Sequence, residues 1–134
     1  MPGAHRALEL PFLTEVLGAL VRTPSTNPGE YEAAMAERVA ALLEPTGAQV
    51  ELAETYPGRP SVGARLRGRR DGPRILLNGH MDTVPIGDRG SWSVDPHGAQ
   101  VRDGCLYGRG ACDTKAGLTA QIAVADRHLS LIHI

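Results

Sequence analysis

An α/β domain is predicted, with helices flanking a mixed, largely parallel central sheet in three layers. Three observations predict it: apolar residues recur at helical spacing near both ends of the chain, short alternating runs fall between them, and one run is apolar without interruption. At 134 residues the chain is long enough for one domain with a sizeable core, read as 1–134.

The first helix is read from Phe12 to Val21, where Phe12, Leu13, Val16, Leu17, Leu20 and Val21 share one face. "RTPSTNPGE" breaks it with two prolines and a glycine. A second helix is expected from about Tyr31 to Glu44, with Tyr31, Met35, Val39, Leu42 and Leu43 inward and "EPTG" as its stop. "AQVEL" and "SVGARL" alternate apolar and polar residues, as half-buried strands do. In "RILLNG" the consecutive Ile75, Leu76 and Leu77 suit a central strand covered on both faces. Asp103-Gly104 between two short extended runs predicts a tight hairpin. Leu118, Ile122, Ala125 and Leu129 predict a last helix from Thr114 to about His128. The closing "LSLIHI" breaks off in what reads as the next strand, so the domain is expected to be incomplete at its C-terminus.

The balance of 14 Lys+Arg against 15 Asp+Glu, a formal net charge of -1, offers no basic surplus for nucleic acid or an anionic membrane. Aromatic residues, at 4%, are too few for base-stacking platforms. "MPGAHRALEL" has no apolar signal core and no stretch has the length of a bilayer span, so a cytoplasmic protein is expected. Cys105 and Cys112 do not form a Cys-x-x-Cys pair and are read as reduced thiols. His5, His128 and His133 have no motif around them and are read as solvent-exposed.

The chemistry gathers in two places. His80 and Asp82 follow "ILLNG", where the carboxyl end of a strand opens onto a ligand crevice, and alternation directs both side chains to one side. An imidazole is a common metal ligand, and a carboxylate on its other nitrogen fixes its tautomer. By these two residues alone, a satisfied surface histidine and an aspartate capping the turn before Pro85 are the favoured account. The second place is "LYGRGACDTKAG", with Asp113 and Lys115 at the mouth of the last helix. Asp113 is either an N-cap or a carboxylate bridging two cations. "GRGACD" lacks the third glycine of a dinucleotide fingerprint, and there is no Gly-x-Ser-x-Gly, His-Glu-x-x-His or Gly-x-x-x-x-Gly-Lys motif.

"GHMDTVP" followed by "WSVDPHGAQVRDGCLYGRGACDTKAG" resembles the zinc-dependent peptidase and deacylase family of aminoacylases, acetylornithine deacetylases, succinyl-diaminopimelate desuccinylases and glutamate carboxypeptidases. The resemblance extends to about Leu129 and includes "PSTNPGEYE". It implies a zinc-exopeptidase-like fold and amide hydrolysis of N-acyl amino acids or short peptides. It also implies that His80 binds one zinc, that the catalytic Asp82 orients His80, and that Asp113 bridges two zincs with a cis peptide after it. Cobalt or manganese would suit the same donors. Lys115 and Arg109 would hold the loop by hydrogen bonds. Ala116 stands where many relatives have glycine, and His97 where phenylalanine is common. The family's general base, its remaining ligands and its dimerisation domain have no counterpart here, so the chain reads as the N-terminal portion of a homodimeric enzyme and as inactive alone. The alternative is a structural or binding fragment that keeps the fold without metals.

Overall fold

The computed structural model describes residues 9–132, with side chains through His128. The expectations for the first ten residues and for His5 and His133 therefore fall, almost entirely, outside the described residues. The first helix, α1, is Leu10–Val21, and Pro11 sits in its first turn, where the missing N–H costs nothing. It ends before Pro24; Thr23 Oγ1 bonds back to the Ala19 carbonyl at 3.0 Å. The second helix, α2, is Ala33–Leu43, and a short 3₁₀ turn over Glu44–Thr46 closes it at Gly47, whose φ of 73° only glycine adopts cheaply.

Strands β1, Gln49–Tyr56, and β2, Arg59–Arg65, pair antiparallel across Pro57-Gly58. Val50, Val62 and Leu66 turn toward the helices, and Leu52 stays half-exposed. Strands β3, Gln100–Arg102, and β4, Cys105–Tyr107, form the hairpin expected at Asp103-Gly104. Both turn residues take positive φ, 52° and 77°, as a two-residue turn requires. The last helix, α3, is Ala116–Ile132.

Val16 and Leu20 of α1, Met35, Val39 and Leu43 of α2, and Leu118, Ile122 and Ala125 of α3 bury one another. Burying each large side chain contributes about 1.5 to 3 kcal/mol, which is what holds three short helices together. No helix among the described residues is long and apolar enough to cross a membrane.

The α/β composition is as expected, but the largely parallel central sheet is not formed among the described residues. The strands make two separate two-stranded antiparallel sheets. The expected central strand at "RILLNG" is not part of any strand ladder among the described residues, with Ile75 and Leu76 at 86% and 89% exposure. Its reason is topological: a parallel strand is stabilised by neighbours distant in sequence, which an apolar run cannot supply for itself. Among the described residues, the one parallel link is the isolated bridge between Thr26 and Thr83.

Candidate metal centre

Three segments converge on one open face. The extended stretch 80–83 supplies His80 and Asp82, the turn 109–115 supplies Asp113, and the α1–α2 connection lies behind them. Alternation places His80 and Asp82 on one side, as expected. His80 Nδ1 lies 3.1 Å from Asp82 Oδ1 and 3.0 Å from the Asp82 carbonyl oxygen. A carbonyl oxygen only accepts, so Nδ1 carries the hydrogen and Nε2 is the outward atom. Nε2 stands 3.0 Å from Asp113 Oδ1. His80 and Asp113, 33 residues apart in sequence, are thus within contact distance.

Partial burial pulls the His80 pKa down, but the Asp113 carboxylate and the Asp82 backbone and side chain outweigh it, so the imidazole is held above its ordinary value. The Asp113 side chain is 89% exposed, so it presents its second oxygen to solvent. The cavity here is about 270 Å³ and also reaches Thr83, Arg109 and Gly110.

The turn that carries Asp113 is wide. Ala111–Lys115 form a π-type turn in which Asp113 (φ −114°, ψ 95°) and Thr114 (φ −134°, ψ 24°) leave helical geometry. The Asp113–Thr114 peptide is cis. Asp113 is therefore displayed on a kink, not used as a helix cap. Gly110 opens the turn at φ 77°, and a Cβ there would meet Thr83 Cγ2 at 2.5 Å.

Lys115 anchors the turn from inside. Its side chain is 1% exposed and Nζ donates to the Thr23 carbonyl at 3.0 Å. Burial pushes its ammonium down to about 8. Arg109 lies over the Trp92 ring at 5.1 Å, and Trp92 Nε1 donates to Ile86 O at 2.8 Å, which holds the far wall. His97 does not line this cavity; its backbone N–H donates to Asp95 Oδ1 at 3.0 Å.

The donors present suit a borderline cation: one imidazole nitrogen and one exposed carboxylate face the same space, with a second carboxylate behind the imidazole. No group of three or more His, Cys, Asp or Glu side chains among the described residues is placed to hold an ion. Sequence reasoning did not assign a role to Asn27, whose Nδ2 donates to Asp82 Oδ2 at 3.2 Å. Its one signal is its place in "PSTNPGEYE", a loop whose docking partner no local pattern reveals.

The Peptidase family M20/M25/M40 matches residues 76–132, the stretch that holds all three of His80, Asp82 and Asp113. The chain belongs to this family of peptidases and deacylases. It is 41% identical over 122 residues to succinyl-diaminopimelate desuccinylase 2 of Ruegeria sp., covering 91% of this chain and 30% of that protein. It is 39% identical over 132 residues to the succinyl-diaminopimelate desuccinylase of Gluconacetobacter diazotrophicus, covering 96% of this chain and 33% of that one. The chain thus spans about a third of the length of these curated relatives.

Proposed function

We propose that the chain supplies one wall of the metal centre of a hydrolase that cleaves the amide bond of an N-acyl amino acid, of the N-succinyl type that the relatives' names describe. The observation that carries this reading is the approach of His80 Nε2 to Asp113 Oδ1 at 3.0 Å, with Asp82 on the other imidazole nitrogen. His80 gives one donor through Nε2. Asp113 would offer its carboxylate to a cation beside His80. Asp82 holds the Nδ1 hydrogen and so keeps the Nε2 lone pair directed outward. A zinc pair, when bound, supplies Lewis-acid polarisation of the scissile carbonyl.

Zinc takes about four ligands, and two residues shared between two ions fall short of that. The remaining ligands and the general base belong to sequence outside this chain, so the chain alone does not turn over substrate. The complete protein is proposed to be a homodimer. The test is zinc content and succinate release from an N-succinyl amino acid by the whole protein. His80→Ala and Asp113→Ala lower both by more than tenfold. Unchanged zinc and unchanged hydrolysis in these variants would leave the chain as a structural fragment; succinate release by the isolated chain would overturn its proposed inactivity.

A further inference from the structure

The Asp82 carboxylate is engaged at both oxygens. Oδ1 faces His80 Nδ1 at 3.1 Å and Oδ2 accepts from Asn27 Nδ2 at 3.2 Å. The imidazole hydrogen is shared between Oδ1 and the Asp82 carbonyl, but these acceptors differ in freedom. The carbonyl is fixed by the backbone. The carboxylate turns about two side-chain bonds, and Asn27 is the group that stops it.

Asn27 is itself held firmly enough for that task. Its backbone N–H donates to Thr83 O at 2.9 Å, Thr83 N–H donates to Ser25 O at 2.9 Å, and the fully buried Ser25 donates through Oγ to Met81 O at 2.7 Å. Three hydrogen bonds over residues 25–27 stitch the α1–α2 connection onto 81–83, so amide and carboxylate keep one register. A neutral amide also suits the position. It orients Asp82 without neutralising it, and Arg59, which interacts with the Asp82 charge, is committed to Glu32 by contacts of 2.7 and 3.0 Å.

We propose that Asn27 is a positioning residue for the metal centre: it locks the Asp82 carboxylate, which in turn holds His80 with Nδ1 protonated and Nε2 free to bind a cation. The proposal rests on the reading of His80 as a metal donor, and it adds a residue outside the two motifs that carry that reading. Its effect passes through Asp82, the side chain to which the Asn27 amide donates.

The test uses Asn27→Ala, which deletes the donor, and Asn27→Asp, which keeps the shape but places a carboxylate against a carboxylate. Two readouts are taken: imidazole ¹⁵N shifts of His80 on the chain without metal, at a pH where the ring is neutral, and zinc affinity of the whole protein by competition with a chromophoric chelator. In the unsubstituted chain Nδ1 is expected to show the pyrrole-like shift and Nε2 the pyridine-like one. Both variants should move these shifts toward the averaged values of a free imidazole and weaken zinc by about tenfold or more. Unchanged ring shifts in both variants overturn the proposal. Ser25→Ala removes one of the three bonds and leaves the two backbone ones and the amide, so it should move the ring shifts less than Asn27→Ala does; an equal change there also overturns it. His80→Ala separates the two layers, because zinc affinity untouched by that variant refutes the metal reading, while the ring shifts still decide the role of Asn27.

Discussion

Lys115 and Thr23 meet across 92 residues of sequence, the lysine ammonium donating to the threonine carbonyl at 3.0 Å in a nearly solvent-free position. The contact ties the turn that displays Asp113 to the end of α1. Its energetics are mixed, since one hydrogen bond offsets only part of the cost of burying an ammonium.

Truncating and neutralising Lys115 should therefore differ. Lys115→Ala removes a buried four-carbon stem and costs about 2 to 4 kcal/mol by urea unfolding. Lys115→Met keeps most of that volume while deleting the charge, and it should stay within about 1.5 kcal/mol of the unsubstituted chain. Equal losses in the two variants would mean that the charge, not the packing, holds the turn.

Gly110 and Gly58 both have positive φ, 77° and 75°, but their surroundings differ. A Cβ at Gly58 meets nothing within 4 Å, so Gly58→Ala carries only the left-handed backbone cost of about 1 to 2 kcal/mol. At Gly110 the same atom would press on Thr83 Cγ2, whose β-branched side chain has little room to turn. Gly110→Ala should cost about 1 to 3 kcal/mol more than Gly58→Ala, measured as a difference in unfolding free energy.

Glu32 is nearly buried and takes both fork nitrogens of Arg59, which also lies 5.5 Å from the Tyr31 ring centre. Arg59 is more than a third exposed, so solvent screens the pair, and Arg59→Ala should lower the urea midpoint only slightly. Arg59→Lys should recover less than half of that, because an ammonium cannot reproduce the fork. Urea midpoints at low and high salt check both statements.

Asp88 accepts from Ser91 Oγ at 2.8 Å and from Gly90 N–H at 3.1 Å, and these bonds hold its carboxyl below the ordinary range. A depressed carboxyl pKa stabilises the folded turn above the ordinary value, and that contribution is lost as pH falls through the folded value. Carboxyl NMR titration should show Asp88 below its ordinary value, and Ser91→Ala should raise it. An unmoved Asp88 in that variant would exclude the Ser91 hydroxyl as the cause.

What the sequence made legible was local. Helix periodicity placed α1 and α2 within two residues of their observed bounds, and Asp103-Gly104 marked the β3–β4 turn, because each signal lies within a few residues. The pairing of β1 with β2 was not legible from alternation, which says which face is buried and not which strand is the neighbour. Ile75 to Leu77 misled for the same reason: an apolar run suits a central strand but does not bring partners to it. The site divided in the same way. His80 and Asp82 could be set on one side by alternation alone, whereas Asn27 reaches Asp82 from 55 residues away through a loop whose composition reads only as a turn.

The stretch between β2 and His80, which joins no strand ladder among the described residues, also decides where a protease would cut. Proteases need a backbone that no ladder withholds, and Arg70 and Arg74 lie there exposed. Trypsin should cleave first within 69–74, severing the hairpin and α1–α2 half of the chain from the half that carries His80 and Asp113. The two pieces would still share the α1–α3 core and the Ser25–Thr83 stitching, so a nicked chain should elute intact from a sizing column and part only in denaturant.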